Sequence, residues 1–246
     1  MAHNSPKILS TTEMATTEAK WITLKKIKYI DQDGKERLWE YAERTTRKSS
    51  GVDGVAVLAI LKSKTNSFPL STVIIEQYRP PIGKYVIGRE VLLPASQISL
   101  IHLLLDAELP AGNSIATFNI QYSNLPMSIY LGLIDESETA EQAAIRELYE
   151  ETGYKATRTL QISPIVVSDP GMTNANMQLV VVSVDMDDQL ETPDPKLEAG
   201  EFIVTKVVEL AKLKVTLGNY DKEGFVVDAR LSHLVSGFEL ARQIGI

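Results

Sequence analysis

An α/β layered domain is the fold class this sequence predicts, and three observations predict it. Apolar runs of strand length recur along the chain, among them "GVAVLAIL" at 54–61 and "MQLVVVSVDM" at 177–186. One strong helical pattern, 139–153, interrupts them, and an amphipathic stretch, "VDARLSHLVSGFELARQI", lies near the chain end. Strands interspersed with a few helices bury their apolar faces by packing helix on sheet.

The 246 residues suit one generous domain or a domain with a small appendage. Residues 1–18 lack the apolar run of a signal peptide and the arginines of a transit peptide, so a disordered tail is expected, with Met14 a candidate internal start. Residues 19–50 form a small N-terminal β-unit: from Trp21 to Thr46 the sequence alternates in a strand-like way around "DQDG" (31–34), whose Asp-Gly pair predicts a tight hairpin turn. From 51 to 246 a second unit follows. "GVAVLAIL" and "STVIIEQY" (71–78) read as buried strands. "ISPIVVS" (162–168) and "MQLVVVSVDM" flank the turn-rich "DPGMTNAN" (169–176). An acidic, proline-containing loop, 187–201, precedes a further strand, "FIVTKVVEL".

Composition narrows the chemistry. A net charge of −7 disfavours a nucleic-acid backbone as partner. With no cysteine, thiolate metal sites and cysteine nucleophiles are excluded, and His3, His102 and His233 show no ligand spacing. The most apolar run, 91–105, is too short to cross a bilayer and is broken by Pro94, Ser96 and Gln97. A soluble, cytoplasmic protein without a membrane partner is expected, with nuclear residence left open.

The densest signal is "GLIDESETAEQAAIRELYEETGY", residues 132–154. Thr139 and Gln142 fit a capping box, and Gly153 suits the position just past a helix end. Ala144 and Leu148 can face a core. Glu147, Glu150 and Glu151 fall at i, i+3 and i+4, on one helical face. Carboxylates so clustered repel one another, and a hard divalent cation such as Mg²⁺ or Mn²⁺ is the natural counterweight.

The wider spacing is more specific. Gly132, Glu138, Arg146-Glu147, Leu148, Glu150-Glu151, Gly153 and Tyr154 stand at every defined position of the Nudix box, so the chain resembles the Nudix hydrolase family. The resemblance implies an α/β/α sandwich with a mixed sheet. It implies that Glu147, Glu150 and Glu151 bind two or more metal ions, while Glu138 and Arg146 form a bracing ion pair. Two or more metals would neutralise diphosphate oxygens and lower the pKa of water.

The flanks "EQYRPP" (76–81), "SDPGMTN" (168–174) and "GEFI" (200–203) resemble the ADP-ribose pyrophosphatase subfamily over about residues 20–245. That resemblance implies hydrolysis of ADP-ribose to AMP and ribose 5-phosphate by a homodimer that exchanges its N-terminal β-unit. It assigns Trp21 and Trp39 to the adenine, one from each subunit. Arg44 and Arg79 fall to the diphosphate, and Asp169, Gly171 and Met172 to the substrate pocket. Arg47, beside Arg44, reads as an ordinary solvated arginine. Glu201 is the implied residue that orients or deprotonates water, with Glu150 the alternative base. The backbone carbonyl of Ala111 in "ELPAG" would help hold a metal, and Gly112 would let the chain turn. Hydrolysis of another nucleoside-diphosphate derivative is the runner-up activity.

Two blocks depart from the subfamily. Deleting 88–107 and 113–132 restores "KYVIELPAGLIDESE", and both blocks are low in charge and interrupt a strand and its turn. We expect both to be retained introns that keep the reading frame, with a genuine lineage-specific insertion, two real loops, as the alternative. GT at the glycine codons of Gly88 and Gly112, and AG across Ala107–Glu108 and Leu131–Gly132, in genomic sequence would support this. On that reading Gly132 borrows the box position of Gly112, and a split site would impair catalysis.

Overall fold

The computed structural model describes residues 6–45, 47, 51–88, the backbone of 132–133, 138–197 and 202–245. Strands β1 (Ile22–Ile30) and β2 (Glu36–Arg44) form a two-stranded antiparallel ribbon of their own. Its connection runs from Asp31 to Lys35, longer than a two-residue turn. Gly34 takes φ +74°, and the Asp31 carboxylate accepts from the Asp33 and Lys35 amides and from Arg37. The internal brace of the turn is therefore Asp31, at its start, and not the Asp33 of the Asp-Gly pair.

The remaining described strands form one nine-stranded mixed sheet. At its centre β3 (Gly54–Ser63) pairs antiparallel with β4 (Ser71–Arg79) and parallel with β9 (Asn176–Met186). Beyond β4 lie β5 (Lys84–Gly88) and β11 (Val226–Val227), and β10 (Ile203–Glu209) also pairs with β4. Strands β7 (Arg158–Ile162) and β8 (Val166–Val167) pair with β9. Strand β6 (Gly132–Leu133) pairs with the first two residues of β3.

Alternation along the central strands builds two cores. Val55, Val57, Ala59 and Leu61 of β3, with Val180, Val182 and Val184 of β9, pack on helix α1 (Ala140–Thr152). Ala56, Leu58 and Ile60, with Met177, Leu179 and Val181, face the opposite layer. There helices α2 (Leu213–Lys222) and α3 (Ala229–Ile244) supply Leu213, Leu217, Leu231 and Val235. Both faces of β3 are buried, which is why its sequence reads as a continuous apolar run. The architecture is the expected α/β/α sandwich.

Two details differ from expectation. "ISPIVVS" is not one strand. Pro164 lacks an amide donor, and around it β7 ends at Ile162 while β8 begins at Val166. Helix α2 was not anticipated. The expected inserts lie almost wholly outside the described residues. At their margins, Gly88 pairs with Ile75 and Gly132 with Val55. Among the described residues, no helix is long and apolar enough to cross a membrane.

Candidate active site

Helix α1 starts where the sequence says it should. Thr139 Oγ1 accepts from the Gln142 amide at 3.2 Å, and Gln142 Oε1 accepts from the Thr139 amide at 2.9 Å. Glu141 in the first turn suits the positive end of the helix dipole. At the far end Gly153 adopts φ +76° and donates to the Tyr149 carbonyl. A Cβ there would lie 2.5 Å from the Asp194 carbonyl oxygen and 2.9 Å from Pro193 Cβ, so glycine also permits the acidic loop to close on the helix. That loop is fastened by Lys196 N to the Glu150 carbonyl, 2.6 Å, and Tyr154 Oη to the Glu191 carbonyl, 2.6 Å.

Ala143, Ala144 and Leu148 hold one face of α1 on the sheet. The face with the glutamates is organised by Arg146. Its Nε and Nη2 meet both Glu138 oxygens at 3.0 and 2.9 Å. Its Nη1 donates to Glu147 at 2.9 Å and Glu150 at 3.0 Å. Hydrogen bonding to Glu138, with Glu147 and Glu150 adding, raises the guanidinium pKa above its already high ordinary value. One arginine thus tethers the segment before the helix and restrains two of its three carboxylates. Glu151 is buried, and its backbone carbonyl accepts from Thr205 of β10 at 3.2 Å.

Three hard carboxylate donors at i, i+3 and i+4, one of them buried, fit a divalent cation by donor chemistry. Among the described residues, though, no three acidic or histidine side chains converge closely enough to hold an ion, and Glu147 and Glu150 each accept from Arg146.

The second half of the site hangs on the ribbon. The Trp39 indole Nε1 donates to the Gly171 carbonyl at 3.0 Å, and the Ala42 amide to the Met172 carbonyl at 2.9 Å. The turn Asp169–Thr173 closes on itself through the Asp169 carbonyl, so Asp169, Gly171 and Met172 form one loop lying against β2. Trp21 precedes β1 and is 70% exposed; its carbonyl accepts from the Thr45 amide. Arg44 ends β2 opposite Ile22, and Arg79 ends β4 opposite Lys84.

Arg47 is the correction. It is not merely solvated. Its Nε and Nη2 bind both oxygens of the buried Asp53, at 2.9 and 2.5 Å, and Nη2 also reaches the Asn174 carbonyl at 2.6 Å. Asp53 accepts from the Asn176 amide and donates its own amide to Asn176 Oδ1. The signal that could have found this pair is Asp53 itself, a charge directly ahead of an apolar strand, which demands a partner. Ala111, Gly112 and Glu201 lie outside the described residues. Gly132 holds the β6 position beside Val55, on the way into α1.

The NUDIX domain family matches residues 120–228. An uncharacterised Nudix hydrolase of Schizosaccharomyces pombe is 36% identical over 94% of this chain and 92% of its own. An ADP-ribose pyrophosphatase of Saccharomyces cerevisiae is 38% identical over 94% and 82%. An ADP-sugar pyrophosphatase of Mus musculus is 32% identical over 84% and 74%. The crystal structure of an ADP compounds hydrolase superposes with a TM-score of 0.52 over 100% of this chain and 98% of that one. At 16% identity it speaks for the fold alone.

Proposed function

The chain belongs to the Nudix hydrolase family, and on that premise we propose that it hydrolyses the diphosphate of ADP-ribose to AMP and ribose 5-phosphate. The observation that carries this reading is the convergence of two elements at the start of β3. Asp53 anchors the ribbon and its loop, while Gly54 and Val55 receive β6, the strand that leads to the glutamate helix. A substrate with a flat base at one end and a diphosphate at the other matches that pairing.

The chain's own groups divide the work. Trp39, fixed by its indole hydrogen bond to Gly171, offers a flat surface for adenine. Arg44 and Arg79 end their strands with guanidinium forks suited to diphosphate oxygens. Glu138 holds Arg146, which positions Glu147 and Glu150. Glu147, Glu150 and Glu151, with the Ala111 carbonyl, would hold Mg²⁺ or Mn²⁺. Bound there, the metal would supply charge neutralisation for the diphosphate and a more acidic water. Glu201 is the group assigned to take the proton of the attacking water, with Glu150 the alternative.

Homodimerisation belongs to the same reading. Trp21 precedes Ile22, which pairs with Arg44, while Trp39 pairs with Ile27. The backbones of Trp21 and Trp39 therefore stand six register steps apart, roughly 20 Å at strand spacing. An adenine sandwich needs rings about 7 Å apart. That separation supports drawing the sandwiching pair from two copies of the chain.

Glu147→Gln tests the reading. It keeps the size of the side chain and removes its charge. The expected result is loss of most turnover of ADP-ribose, about a hundredfold or more, with an unchanged unfolding midpoint. Unchanged turnover at saturating Mg²⁺ would overturn the role of this helix. A second reading, hydrolysis of other ADP-sugars, is favoured by the mouse relative's name.

A further inference from the structure

We propose that Arg47 and Asp53 act as a latch that sets the position of the adenine-facing surface, making them positioning residues for substrate binding. The inference rests on the reading above and adds residues that lie outside the glutamate helix.

The latch joins three separate pieces of chain. Asp53 stands directly before β3 and is locked to the start of β9 by its reciprocal bonds with Asn176, each 2.9 Å. Asn176 Nδ2 also donates to the Gly51 carbonyl at 2.9 Å, closing the approach to β3. Arg47, just past the end of β2, spans from the Asp53 carboxylate to the Asn174 carbonyl and, at 3.3 Å, to Asn174 Oδ1. Asn174 in turn ties back to the ribbon: its Nδ2 donates to Glu43 Oε1 at 3.2 Å, and its amide to the Ala42 carbonyl at 3.4 Å. Glu43 is itself paired with Lys25 across the ribbon.

The consequence is geometric. Between Asn174 and the Gly171 carbonyl that receives Trp39 lie only Met172 and Thr173, and Met172 is already held by Ala42. Fixing Asn174 therefore fixes the loop against which the indole is set. Two-stranded ribbons are marginal alone, and both faces of this one carry exposed apolar side chains, so its attachment to the sheet must come from such points. Among the attachment points described, Arg47–Asp53 is the ion pair. The planar fork of Arg47 grips both oxygens of the Asp53 carboxylate through Nε and Nη2, a bidentate geometry that the single ammonium of a lysine does not reproduce.

Arg47→Lys is the informative change, because it keeps charge and approximate length but loses the fork. AMP binding, read by titration calorimetry, reports the adenine surface without requiring turnover. The expected result is about tenfold weaker AMP binding and a similar rise in KM for ADP-ribose, with kcat within about twofold, as for a lost uniform-binding contact. Asp53→Asn should give the same pattern. In a Trp39→Ala background, Arg47→Lys should cost no further affinity, since the surface it positions is gone. Equal penalties in the two backgrounds, or a fall in kcat with KM unchanged, would overturn the latch, as would AMP binding unaltered in Arg47→Lys. If the wild-type chain bound AMP but left ADP-ribose intact, the hydrolytic reading would fail while the binding arm still judged the latch.

Discussion

Residues in this protein carry more than one constraint each. Gly153 was legible as a helix stop, and it is one, yet its missing Cβ also admits the Asp194 carbonyl. Gly153→Ala must strain a positive φ and push the loop away, so a loss of about 1–3 kcal/mol is expected in denaturant unfolding. A change below about 0.5 kcal/mol would mean the loop adapts freely. The capping pair Thr139 and Gln142 and the core residues Ala144 and Leu148 could be read from spacing, because helix geometry is local, while the Glu138–Arg146 brace was legible through the family resemblance. Arg47 could not. The hint lay six residues on, in Asp53, while the Asn174 carbonyl is 127 residues away and belongs to no local window.

Elements follow the same division. Strands buried on both faces announce themselves as apolar runs, so β3, β4 and β9 were visible. The split of "ISPIVVS" and the helix α2 were not, since each depends on what lies opposite: a proline that cannot donate, and a sheet face that needs covering. The ribbon β1–β2 is the element whose placement matters most. Ile22, Leu24, Ile27, Ile30 and Leu38 are exposed on it, an apolar surface that a second copy of the chain would cover. Light scattering should therefore return twice the mass of the 27.2 kDa chain, and Leu24→Asp with Leu38→Asp should shift it toward the monomer. A wild-type monomer at micromolar concentration would remove the dimer from the account.

At the scale of the molecule, the sandwich brings two chemistries to one strand end. A carboxylate helix arrives through β6, and an aromatic ribbon arrives through Asp53. The family was legible because its box is a dense local pattern, whereas the coupling of the two halves is a property of topology. The central claim is the substrate, and a product assay tests it most directly. The purified chain, given ADP-ribose and Mg²⁺ beside a panel of other nucleoside-diphosphate sugars, is predicted to release AMP and ribose 5-phosphate in equal amounts. ADP-ribose should be turned over fastest, and a chelator should stop the reaction. No release of AMP from ADP-ribose at saturating Mg²⁺, with another compound of the panel hydrolysed, would contradict it.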